Sequence, residues 1–163
     1  MTRVRQLQSW PCARLAGKKL LDETKMENIA CLPEKRIKQI LEVFLITQGW
    51  NTKIAWGFTH GIDIEAKRNT DRWIIEVGVS KLGNPTIISS FVSVLGKILQ
   101  RMDDPECKYS IALPDTEPFR RLWERLPILV KDRTEITALF VNHAGTVIER
   151  ANNLPFLANS GNF

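Results

Sequence analysis

The chain has 163 residues and a mass of 18.6 kDa, with 44% hydrophobic and 25% charged side chains. That is enough chain for one sizeable core and too little for two, and no apolar run approaches the ~20 residues a membrane helix needs. The formal net charge is +5, but residues 1–25 carry six basic side chains against two acidic ones and the remaining 138 carry 17 against 16, so the excess sits in a leader and the body is nearly neutral.

Cys12, Cys31 and Cys107 are odd in number and lack metal-type spacing. A disulfide scaffold and a zinc ribbon are therefore not expected, and free thiols in a reducing, cytoplasmic setting are. His60 and His143 are the only histidines, which leaves little material for a His-rich metal site or a Ser-His or Cys-His mechanism.

Residues 1–27 show no period. Pro11, Gly17 and scattered charges interrupt every apolar run, so a signal-peptide core is not expected. The segment reads as a disordered basic arm, with Met26 as an alternative start. Order is expected from Leu32-Pro33, with the single domain running over 32–150. Pro33 suits a first helical turn, and Glu34 complements the helix dipole there. Ile37, Ile40, Leu41, Phe44 and Leu45 form an amphipathic stripe, and Gly49 is the natural stop. Glu34 lies at the edge of that stripe.

Three strand-like runs follow at 53–58, 61–67 and 72–79, with Arg68 to Asp71 as the hairpin turn between the last two. Asn84-Pro85 caps a second helix over 86–102, whose wide apolar face suits packing on a sheet. A short strand at 109–113 comes next. A third helix then carries Phe119, Leu122, Trp123 and Leu126 and ends at Pro127. Strands at 136–141 and 146–148 flank a turn at His143-Ala144-Gly145, and residues 151–163 read as a tail. The expected order is α-β-β-β-α-β-α-β-β, an α/β (α+β) arrangement with helices flanking a mixed sheet.

The informative residues are Asp63 and Glu76. With the turn centred between Asn69 and Thr70, Asp63 falls opposite Glu76, Glu65 opposite Ile74 and Lys67 opposite Arg72. Alternation puts Asp63, Glu65, Glu76 and Gly78 on one face and Ile62, Ile64, Trp73, Ile75 and Val77 on a core face. Directly opposed carboxylates have Cβ atoms ~4.5–5.5 Å apart and repel. A divalent cation between them, a proton on one of them, or neighbouring Lys and Arg on an exposed acidic face would each relieve that repulsion.

Gly61-Ile62-Asp63-Ile64 and Trp73-Ile74-Ile75-Glu76-Val77, after a helix ending at Gly49-Trp50, resemble the PD-(D/E)XK nuclease superfamily, whose restriction-endonuclease-like core is a helix, a three-stranded meander, a helix and a strand. The resemblance spans about residues 33–150 and implies Mg²⁺-dependent (or Mn²⁺-dependent) phosphodiester hydrolysis in DNA. Carried over, the metal ligands are Asp63, Glu76 and the backbone carbonyl of Val77, with Glu34 as the first-helix glutamate that completes many such sites. The family's lysine, two residues past the glutamate, is here Gly78. Lys67, Lys81 and Lys97 are the candidates to replace it, with Lys97 taken as the catalytic cation. The alternative is a catalytically inactive nuclease-like module that binds DNA or a partner protein; a homodimer is left open, and no membrane is expected.

Overall fold

The computed structural model describes residues 32–57, 61–79 and 87–151. The expected arm over 1–27, the tail beyond Ala151, and Lys81 and His60 lie outside them.

Helix α1 (Glu34–Thr47) begins where Pro33, in extended conformation, offers its carbonyl to the N–H groups of Arg36 and Ile37. It ends at Gly49, whose φ of 81° lets the Trp50 N–H reach the Leu45 carbonyl at 3.0 Å and the Gly49 N–H that of Ile46 at 2.9 Å. This double return is the Schellman stop, and the buried Leu45 and Trp50 close it with an apolar contact.

The chain then builds a six-stranded sheet whose spatial order follows the sequence: β1 (Asn51–Ile54), β2 (Ile64–Arg68), β3 (Asp71–Val77), β4 (Lys108–Pro114), β5 (Thr137–Val141) and β6 (Val147–Arg150). The β1–β2, β2–β3 and β5–β6 pairs are antiparallel, and β3–β4–β5 run parallel. Parallel neighbours need long crossovers. Helix α2 (Ile87–Leu99) lies in the first; helices α3 (Glu117–Arg125) and α4 (Ile128–Thr134) form the second. Among the described residues, no helix is long and apolar enough to cross a membrane.

Two corrections to the sequence reading concern elements. The run expected at 53–58 is a strand only over Asn51–Ile54. Helix α4 was not expected; Pro127, read as a terminator, also starts it, its carbonyl accepting the Val130 N–H at 3.0 Å. The helix has only seven residues and exposes Ile128 and Leu129, so it carries no apolar stripe to read.

The hairpin register is as expected: Ile64 faces Ile75, Glu65 faces Ile74 and Lys67 faces Arg72. The faces need correcting. Ile64, Ala66, Trp73, Ile75 and Val77 pack under α1, but Ile74 belongs to a second core with Phe91, Val94 and Ile98 of α2 and Phe119 and Trp123 of α3. A sheet with parallel centre strands is covered on both sides, so the carboxylate face is interior too. Ile62, expected to share a face with Ile64, packs instead toward the α2 core, because regular pairing begins only at Ile64.

Gly78 shows how close that second layer comes. A Cβ there would lie 2.7 Å from Val94 Cγ1, 2.9 Å from Val94 Cβ and 3.1 Å from Leu113 Cδ2. Gly78→Ala is therefore expected to cost about 1–3 kcal/mol through overpacking, read as a lower urea midpoint. Because Val94 is the obstacle, the Gly78→Ala/Val94→Ala double variant should lose less than the two single variants together; strict additivity would show that the contact is not what excludes a side chain.

Candidate functional site

Asp63 is the residue before β2, and Glu76 is the penultimate residue of β3. The hairpin register, continued one step past the Ile64–Ile75 pair, sets them opposite each other, and each carboxyl shifts the titration of the other, Asp63 raising Glu76 and Glu76 lowering Asp63. Glu76 is 1% exposed, so an exposed acidic face is ruled out at this position. Burial first, then the hydrogen bond and charge of Asp63, push Glu76 up to about 7, against the pull of Arg101. Burial also opposes the charge on Asp63, but hydrogen bonds from Glu76, Lys38 and the Val77 N–H outweigh it and hold Asp63 below its ordinary value. Below pH about 7, protonation of Glu76 relieves the repulsion.

Lys38 comes from α1 and is only 2% exposed. Its Nζ donates to Asp63 Oδ1 at 2.7 Å, to Glu34 Oε1 at 2.8 Å and to the Ala55 carbonyl at 2.8 Å. An ammonium has three donors, so each has a partner and the buried charge is satisfied. Burial opposes that charge, and Asp63 and Glu34 more than restore it, holding Lys38 above its ordinary value. The other Asp63 oxygen, Oδ2, accepts the Val77 N–H at 3.0 Å. On the Glu76 side, Arg101 donates through Nε to Oε1 at 3.1 Å and through Nη2 to the Gly61 carbonyl at 2.8 Å.

The fold therefore brings Asp63, Glu76 and Val77 together. Glu34 joins them through Lys38. Lys97 is exposed on α2, and none of the site's hydrogen bonds involves it. Lys67 pairs with Glu65 at 3.5 Å and is largely exposed. Lys38 and Arg101 were missed. For Lys38 a signal existed: helical geometry puts it beside Leu45 at the edge of the apolar stripe, where a lysine must find a partner. Arg101 follows the last residue of α2 by two positions, and no local pattern marks it.

Among the described residues, no three His, Cys, Asp or Glu side chains gather into a group that could hold a metal ion. The side-chain donors at the pair are two hard carboxylates. Such a set suits Mg²⁺, which binds through one or two carboxylates and keeps much of its water, and the Val77 carbonyl can add a third oxygen.

No family model and no curated protein matches the sequence. Solved structures of similar fold include an XisH family protein from Nostoc punctiforme PCC 73102, with 20% identity and a TM-score of 0.50 over 72% of this chain and 98% of that one. Another is an FdxN element excision controlling factor protein from Anabaena variabilis, at 19% identity and a TM-score of 0.50 with the same coverage. At this identity the likeness is one of fold, and it extends over nearly the whole of those chains.

The raised Glu76 value fixes the sign of a pH effect. A carboxyl held above its unfolded value contributes stability that is complete below the ordinary glutamate range and lost as pH rises through about 7. Between pH 5 and pH 8 the wild type should lose on the order of 2 kcal/mol relative to Glu76→Gln, which keeps a hydrogen-bond donor and cannot ionise. Parallel denaturation curves of the two proteins across that range would contradict the assignment.

Proposed function

We propose that this chain is a PD-(D/E)XK-like nuclease module that hydrolyses phosphodiester bonds in DNA with Mg²⁺, Mn²⁺ being able to substitute. The observation that carries this reading is the Lys38 ammonium 2.7 Å from Asp63 Oδ1. It supplies a lysine beside the carboxylate pair although the usual position is Gly78. In this reading Asp63 and Glu76 hold the cation, with the Val77 carbonyl as a further donor. When bound, the cation polarises the scissile phosphate and supplies the hydroxide. Lys38 offsets negative charge on the Asp63 side, and Glu34 positions Lys38. Glu76 must give up its proton before it can serve as a ligand.

A second reading is favoured by Gly78 itself. A side chain at that position would meet Val94 and Leu113 and force them to shift, which suits a module that binds DNA or a partner protein without cutting. The Anabaena variabilis neighbour is described as an element excision controlling factor, which supports DNA as the partner under either reading.

Nicking of supercoiled plasmid in Mg²⁺ or Mn²⁺ separates the two. The wild type should nick, Glu76→Gln should not, and Lys38→Met should fall by roughly 100-fold or more, with circular dichroism confirming that each variant folds. Lys97→Met run alongside decides between the lysines: the one whose loss removes cleavage is the catalytic cation. Plasmid binding without nicking by the wild type in either metal would establish the second reading.

A further inference from the structure

The two cations at the carboxylate pair are held very differently. Lys38 is buried and its three donors all have fixed acceptors. Arg101 has a side chain 35% exposed, sits in the turn after α2, and makes two contacts to the site, with Glu76 Oε1 and the Gly61 carbonyl. A guanidinium has five N–H donors, and two of them have acceptors among the described residues. Water reaches the Arg101 side of this pair, whereas the Glu76 carboxyl is buried and needs a partner at all times. Its backbone anchor, the Arg101 N–H on the Ile98 carbonyl at 2.9 Å, is independent of the sheet. The Arg101 backbone is therefore held without help from the contact with Glu76.

We infer that Arg101 is an exchangeable counter-ion: it occupies Glu76 in the cation-free protein, yields that carboxylate to a divalent cation, and then turns its guanidinium to a substrate phosphate. The inference rests on the metal-site reading above. Charge balance favours the exchange, because a divalent cation on Glu76 replaces the positive charge that Arg101 withdraws. The freed fork matches a phosphate through two parallel hydrogen bonds. Lys38 cannot make this move, since leaving Asp63 would strand a buried ammonium.

The test uses the full chain and two titrations at low ionic strength. Ca²⁺ binding is measured by calorimetry at pH 9, where a proton no longer competes for Glu76, for the wild type, Arg101→Gln, Arg101→Ala, Arg101→Lys and Asp63→Asn. Arg101→Gln and Arg101→Ala should bind Ca²⁺ about tenfold more tightly than the wild type, and Arg101→Lys close to it. Arg101→Gln keeps hydrogen-bond donors, so it reports on charge even if Arg101→Ala fails to fold. In saturating Ca²⁺, Arg101→Gln should bind a 20-base-pair duplex about tenfold more weakly than the wild type. Unchanged or weaker Ca²⁺ binding in Arg101→Gln, with binding still lost in Asp63→Asn, overturns the exchange and leaves the metal site standing. Unchanged duplex binding overturns the transfer to phosphate. Absence of Ca²⁺ binding in every protein, the wild type included, overturns the metal site and the exchange together.

Discussion

The direct opposition of Asp63 and Glu76 is the constraint around which this structure is arranged. Two carboxylates at facing positions of a hairpin repel, and removing one of them from water makes its ionised form costlier still. Four compensations converge on them: a proton on Glu76, the Lys38 ammonium, the Val77 N–H and the Arg101 guanidinium. The three groups of the chain among them come from α1, the end of β3 and the turn after α2. The acceptors of Lys38 belong to the first turn of α1, the residue after β1 and the residue before β2. One buried ammonium thus ties the first helix to the entrance of the hairpin that carries the site.

The helical layers on both faces set how those compensations can arrive. Beneath α1, the strands interlock through Trp73 Nε1, which donates to Ser110 Oγ at 2.8 Å, and through Ser110 Oγ, 2.6 Å from Thr137 Oγ1, so a buried polar chain spans β3, β4 and β5. On the other face, Val94 sits against Gly78 and the α2 core encloses Ile74. A sheet fixed this firmly on both sides holds its carboxylates in place whatever occupies the space between them. That rigidity is what a binding or catalytic pair requires.

Much of this was legible in the sequence, and the parts that were not have physical reasons. The Asn69-Thr70 turn and the β-branched run before Val79 fixed the register, and with it the pairing of Asp63 and Glu76, because a hairpin turn leaves no freedom once its centre is set. Burial of the carboxylate face was not legible. Strict alternation in residues 61–67 reads as one wet face, and only the parallel partner β4 and the crossover helix that comes with it show that both faces are dry. Helix α4 was lost because seven residues with two exposed apolar side chains carry no period. Arg101 was lost because its partners, Gly61 and Glu76, are 40 and 25 residues away along the chain. Lys38 could have been found, since a lysine on the edge of a buried stripe asks for an anion, and Glu34 on the same helix and Asp63 across the fold both supply one.

The position of Lys38 also accounts for the rest of the site. A side chain at position 78 would enter on the face shared with Glu76. The approach of Val94 and Leu113 closes that route, since even a Cβ would lie under 3 Å from Val94. The remaining approach is from α1, on the opposite face of the sheet and around the end of β2. A side chain arriving that way meets Asp63 Oδ1 and has no bond to Glu76. Glu76 is then left buried without an ammonium; burial favours its protonated form, and the Arg101 guanidinium bonds its Oε1. Gly78, Lys38 and Arg101 thus bear on one pair of carboxylates from different directions: Val94 and Leu113 crowd position 78, Lys38 bonds Asp63, and Arg101 bonds Glu76.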